Sequence, residues 1–145
     1  MNTRKAQAAL EFLMTYGWAI LVVLIAIGAL AFFGVLSPER FLPAKCTLQP
    51  GLACIDHKVT PGQVDVVVKN GYGSDIVVNV ITVQKCGTIS PAQAMANGGD
   101  GIQFNIPCTT PITTSKFNGI LNITYTNQDS LLQRSNIGDI VGTVE

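Results

Sequence analysis

Charge is scarce in this sequence. Charged residues are 12% of the 145, against about 25% in an ordinary soluble domain. Nine basic and nine acidic side chains cancel to a net charge of zero. A nucleic-acid binder normally carries a basic excess or patch, so the balance argues against that class. It argues equally against a solvating acidic tail. Histidine occurs once, as His57. No C-x-x-C, H-E-x-x-H, G-x-S-x-G, P-loop or paired-carboxylate motif is present, which leaves no hydrolytic or nucleotide-binding machinery to assemble. Zinc lacks a ligand set. Around Gly98-Gly99-Asp100-Gly101 a single carboxylate is too few for calcium, so that stretch reads as a glycine turn. Asp56, His57 and Lys58 fall within a predicted strand, where neighbours point to opposite faces, and His57 reads as an exposed or edge residue. The expectation is a chain that is not an enzyme and needs neither metal nor cofactor.

What is present begins with the run Phe12–Leu36, FLMTYGWAILVVLIAIGALAFFGVL, which holds no charge in 25 residues. About 20 apolar residues span the hydrocarbon core of a bilayer. No proline interrupts the run before Pro38, and Tyr16 and Trp18 stand near one end, where interfacial aromatics gather. Arg4 and Lys5 precede it, so the N-terminus should remain cytoplasmic and the remainder should cross. The run is too long for an ordinary secretory signal, and no small-residue cleavage site follows it. Glu11 stands at its edge, where a carboxylate buried without a partner costs a few kcal/mol.

The stretch Arg4-Lys5-Ala6-Gln7-Ala8-Ala9-Leu10-Glu11-Phe12 resembles the class III signal of type IV pilins, most closely that of archaeal type IV pilin-like proteins. The resemblance covers residues 4 to about 37. It implies cutting by a membrane prepilin peptidase on the cytoplasmic side, with Arg4 and Lys5 as the basic pair and Ala6 as the last residue removed. Gln7 then becomes the mature N-terminus and Glu11 the fifth mature residue. A common archaeal pattern has Ser at mature position three and Leu at position nine, where this chain has Ala9 and Thr15. The implied organisation is a cleaved signal over 1–6, a transmembrane and filament-core helix over 7–37, a linker over 38–45 and an extracellular head over 46–145. The implied partners are identical copies in a helical filament, the membrane before assembly, the peptidase and assembly machinery, and a surface or cell receptor of unknown kind. Glu11 of one subunit would approach the Gln7 ammonium of another and set register. Phe12, Tyr16, Trp18, Phe32 and Phe33 would fill gaps between helices, and Ala26, Ala29, Ala31 and Gly34 would let them approach closely.

Composition changes at Ser37-Pro38. Beyond it, predicted strands are Cys54–Thr60, Gln63–Asn70, Ile76–Lys85, Gln103–Ile106, Gly119–Thr126 and Asp139–Val144, rich in β-branched residues. Asn70–Asp75 is a turn signal that predicts a hairpin, and Thr60-Pro61-Gly62-Gln63 is another turn. Ser90–Gly101 reads as a loop with a helical turn near Ala92–Ala96. Short strands in this number predict an α+β chain whose head is an antiparallel sandwich, immunoglobulin-like in kind. The cysteines are Cys46, Cys54, Cys86 and Cys108, all in this part and therefore outside the membrane, where disulfides persist. Four cysteines allow three pairings; Cys46–Cys54 with Cys86–Cys108 is favoured, each pair closing a loop. Asn122-Ile123-Thr124 is the one N-x-[ST] sequon and a candidate N-glycosylation site, whose use requires Asn122 to face solvent.

The leading expectation is a pilin of a surface filament serving adhesion. The alternative is a single-span, membrane-anchored β-domain that binds a partner and never polymerises. The charge deficit bears on the choice. Residues 39–145 hold fifteen charged side chains against 26 Thr, Asn and Gln. The head is thus wet by neutral groups, which suits close packing of copies without like-charge repulsion.

Overall fold

The computed structural model describes residues 3–34 and 43–145. The chain divides into two compact units, Met1–Phe41 and Leu42–Glu145. The first holds α1 (Thr3–Phe32), 30 residues long with no buried residue, or about 45 Å at 1.5 Å per residue. By length and composition it can cross a membrane. Its end is set by Gly34, at φ 71°, where Phe33 N–H donates to Ala29 O and Gly34 N–H to Ala31 O. A left-handed glycine just past the last turn is a common helix stop. Gly34 thus stands just past the last turn of α1. The expected helix end at Ser37 and the Ser37-Pro38 boundary lie outside the described residues.

The second unit is all strand: β1 (Lys45–Thr47), β2 (Leu52–Val59), β3 (Gln63–Asn70), β4 (Ile76–Val83), β5 (Gly87–Ile89), β6 (Gln93–Met95), β7 (Ile102–Pro107), β8 (Lys116–Asn127) and β9 (Gln133–Thr143). The larger sheet runs β1-β9-β8-β4-β5, with β6 also on β4; the smaller runs β2-β3-β7. Every named pairing is antiparallel. The architecture is α+β, a long hydrophobic helix followed by a two-sheet, sandwich-like head.

The core follows from alternation. In β3, Val64, Val66 and Val68 are fully buried, with polar or half-buried residues between them. Leu121, Ile123 and Tyr125 of β8 face them from the larger sheet, beside Ile76, Val78, Ile81 and Val83 of β4. A bulge between Val78 and Val80 lets β4 break strict alternation while keeping four side chains inward.

Two sequence expectations change here. Asn70–Asp75 does not close a hairpin, because β3 and β4 belong to opposite sheets. The turn is a crossing organised by buried Asn70, whose Oδ1 accepts from Tyr72 N–H at 3.0 Å while Nδ2 donates to Ser74 O at 2.9 Å and Met95 O at 3.0 Å. Near Ala92–Ala96 there is an edge strand, β6, rather than a helical turn. Met95 is 2% exposed and fills the core, Ala92 sits at φ 46°, and the edge of β4 offers backbone groups that need partners. β5 and β6 thus form one interrupted edge, with Pro91 in the break, a form that resists edge-to-edge pairing.

Candidate functional site

Arg4, Lys5, Ala6, Gln7 and Glu11 all lie in α1, and all are exposed. The Ala6–Gln7 bond falls in the first two turns of α1, where helices fray most readily. Glu11 is one turn beyond Gln7, about 6 Å along the axis. Thr15 returns its hydroxyl to Glu11 O at 2.9 Å, so that polar group is satisfied within its own helix. Phe12 and Tyr16 stack at 4.6 Å on the same face. Apolar side chains project all round: Met14 is 80% exposed, Trp18 66% and Ile25 62%. A Cβ added at Gly17 or Gly28 would meet open space, so neither glycine is required by a contact within the chain. A helix apolar on every face needs lipid or other helices around it.

In the head, Cys46 joins Cys54 with an S–S distance of 2.02 Å, and Cys86 joins Cys108 at 2.00 Å. The first ties β1, in the larger sheet, to β2, in the smaller. The second ties the β4–β5 turn to the end of β7, again across the sheets. No cysteine is left free.

Asn122 lies at the middle of β8 between Thr82 of β4 and Ile137 of β9. Its neighbours Leu121 and Ile123 are fully buried, so its side chain is on the sheet's outer face. It is half-buried there, and its Oδ1 is covered without a hydrogen-bond partner. The same face carries Thr124, Thr126 and Asn79, the last donating to Thr126 Oγ1 at 2.7 Å, while Thr82 and Thr88 hydroxyls meet at 3.1 Å. Neutral hydrogen-bonding groups share this face with the exposed side chains of Ile120 and Ile137.

His57 is on edge strand β2 but half-buried, its Nε2 2.9 Å from Val141 O. Donation to that carbonyl requires the Nε2–H tautomer, and the ring is occupied in joining the two sheets. Gly98 at φ 68° donates to Asn70 O and Gly99 to Ala96 O, a glycine turn. Among the described residues no three His, Cys, Asp or Glu groups gather as a metal site would need. The ion pair found among them is Lys58–Glu145 at 3.1 Å, on the surface and worth little.

Sequence reasoning missed a cluster at the β8–β9 end of the sandwich. Tyr72 and Tyr125 rings meet edge to face at 5.6 Å, and Arg134 lies 5.9 Å from the Tyr72 centroid. Burial, then the neighbouring Tyr72, pushes the Tyr125 phenol above its ordinary pKa. One aromatic in a turn, another in β8 and an arginine in β9 leave no local signal of such a meeting.

Compared with known proteins, the chain matches no family model and none of the curated proteins. A single long apolar N-terminal helix ahead of an antiparallel β-domain is consistent with a pilin-like fold in general.

Proposed function

We propose that this chain is a structural subunit of an archaeal type IV pilus-like filament. A prepilin peptidase cuts before Gln7. The helix then holds the subunit in the membrane until assembly, and afterwards packs against its copies with the head outward at the cell surface. The role is adhesive and structural rather than catalytic.

The observation that carries this reading is α1 itself: no residue of it is buried, yet its side chains are apolar on every side and interrupted by one carboxylate, Glu11. Each large apolar side chain covered would stabilise the covered state by about 1.5–3 kcal/mol. Lipid meets that demand before assembly and neighbouring helices meet it afterwards. For an isolated anchor the headgroup region can receive Glu11, whereas in a bundle of copies the carboxylate needs a partner. Cleavage supplies one, because a free α-ammonium appears at Gln7, and a copy displaced along the axis brings it to Glu11. In low dielectric their attraction is strong but desolvation largely offsets it, so the pair acts on register more than on stability. The two disulfides support a head that functions outside the reducing cytosol.

N-terminal mass spectrometry of the native protein tests the reading. A mature chain beginning at Gln7 is expected; a population beginning only at Met1 would overturn it and favour the anchored, non-polymerising domain.

A further inference from the structure

Asn122 is poorly suited to its place. It stands at the middle of β8, opposite Thr82 of β4 on one side and Ile137 of β9 on the other. Asparagine is depleted in strands, where β-branched and aromatic residues pack better. Here its Oδ1 is covered and has no hydrogen-bond partner, which costs stability. Of the two amide atoms only Oδ1 is both covered and unpaired, and among the described residues none accepts from Nδ2. Nδ2 is therefore the atom left to solvent. The fold gains nothing from asparagine at this position, so its use is to be sought in the chemistry of that amide.

Two further observations meet there. Asn122 opens the sequon Asn122-Ile123-Thr124, and Thr124 lies half-buried on the same outer face. Apolar surface is also open beside the amide. Ile137, directly across on β9, is 46% exposed, and strand geometry puts its Cβ about 5 Å from that of Asn122. Ile120, two positions earlier in β8 and about 7 Å away, is 44% exposed. A group attached at Nδ2 would rise between the two isoleucines.

We propose that Asn122 carries an N-linked glycan whose first sugars lie over Ile120 and Ile137. The inference rests on the part of the reading above that puts the head outside the membrane. The donor is an oligosaccharide joined through phosphate to a membrane lipid. Nδ2 loses a proton to a base of the transferase and forms a C–N bond to the anomeric carbon of the first sugar. The C–O bond to the phosphate breaks, and the lipid phosphate leaves with that electron pair; nothing is oxidised or reduced. The C–H faces of the sugars cover the aliphatic side chains, while their hydroxyls meet water. In the folded head Ile123 is fully buried and β8 is paired along both edges, so the sequon cannot leave the sheet to enter a transferase. Transfer therefore precedes the pairing of β8, on the newly translocated chain.

The test is mass spectrometry of the native protein. Trypsin releases residues 117–134 as one peptide, bounded by Lys116 and Arg134, and Asn122 is its one sequon asparagine. In most copies this peptide is expected to be heavier by an oligosaccharide, placed on Asn122 by fragmentation. Thr124→Val keeps Asn122 and a β-branched residue in the strand, and should abolish the added mass. Hydroxyl-radical footprinting should then label Ile120 and Ile137 several-fold more than in the native protein. An unmodified Asn122 in the native protein overturns the proposal, as does a glycan on another residue of the peptide or one that persists in Thr124→Val. Unchanged labelling of the two isoleucines overturns their cover by the sugars. Any of these results with a chain beginning at Gln7 leaves the filament reading standing. A glycan on Asn122 of a chain beginning only at Met1 overturns the filament reading and leaves this proposal standing.

Discussion

Removing the two disulfides separately should destabilise the head unequally, and the difference follows from the chain lengths they close. Cys46–Cys54 spans a sequence separation of 8 and Cys86–Cys108 one of 22. Loop-closure entropy assigns about 2.5 kcal/mol to the shorter and about 3.4 kcal/mol to the longer. Paired Cys→Ala substitutions are the right perturbation, since Cys86 is buried and serine would introduce a polar group there. For a domain of this size the losses correspond to falls in Tm of about 10–20 °C for the shorter loop and about 14–27 °C for the longer. Thermal unfolding of the full chain in detergent, followed by the near-ultraviolet circular dichroism of tyrosine, measures both. Tyr72 and buried Tyr125 report the head, while Tyr16 and the lone tryptophan, Trp18, lie in the helix and supply a constant background that Tyr16→Phe reduces. An equal loss, or a larger loss for the Cys46–Cys54 pair, would rule out loop closure as the main source of the stabilisation. Native contacts at β1 would then take its place.

Other outcomes follow from the same structure. Asn70→Ala leaves Ser74 O and Met95 O without their donor and Tyr72 N–H without its acceptor, and should cost about 2–3 kcal/mol in denaturant unfolding. Gly138→Ala would drive a Cβ into the Thr47 carbonyl, so β1 must move; hydrogen exchange of the Lys45–Thr47 amides should quicken, with a loss of about 1–3 kcal/mol. Because the folded head raises the Tyr125 pKa above its ordinary value, the unfolded chain gives up that proton first. Stability is therefore level below about pH 10 and falls as pH rises toward the folded pKa, with a slope no steeper than about 1.4 kcal/mol per pH unit; Tyr125→Phe should flatten that limb. Glu11→Ala should leave membrane insertion intact, read by fractionation, while filament yield collapses.

Legibility varied with the kind of signal. α1 was plain because a charge-free run of this length has few other uses, and β3 and the centres of β4 and β8 were plain because buried valines and isoleucines alternate there. The first half of β9, Gln133–Gly138, was missed because a polar stretch reads as loop; its strand character comes from pairing with β8, which no local pattern reveals. β1 and β5, three residues each, are too short to carry a period. The crossing at Asn70–Asp75 resembled a hairpin turn because the same residues favour both, and only the three hydrogen bonds of buried Asn70 decide between them. At the candidate site, Arg4, Lys5, Gln7 and Glu11 carry the pilin resemblance in one stretch of sequence, and the structure adds that all four lie exposed in α1.

If copies of this chain polymerise through α1, electron cryomicroscopy of material carrying the native protein will reveal it. Filaments are expected with a core of packed helices, Glu11 of each chain facing the N-terminus of another, and β-heads outside. Dispersed single-span particles confined to the membrane, with no filament at any concentration, would contradict polymerisation through α1.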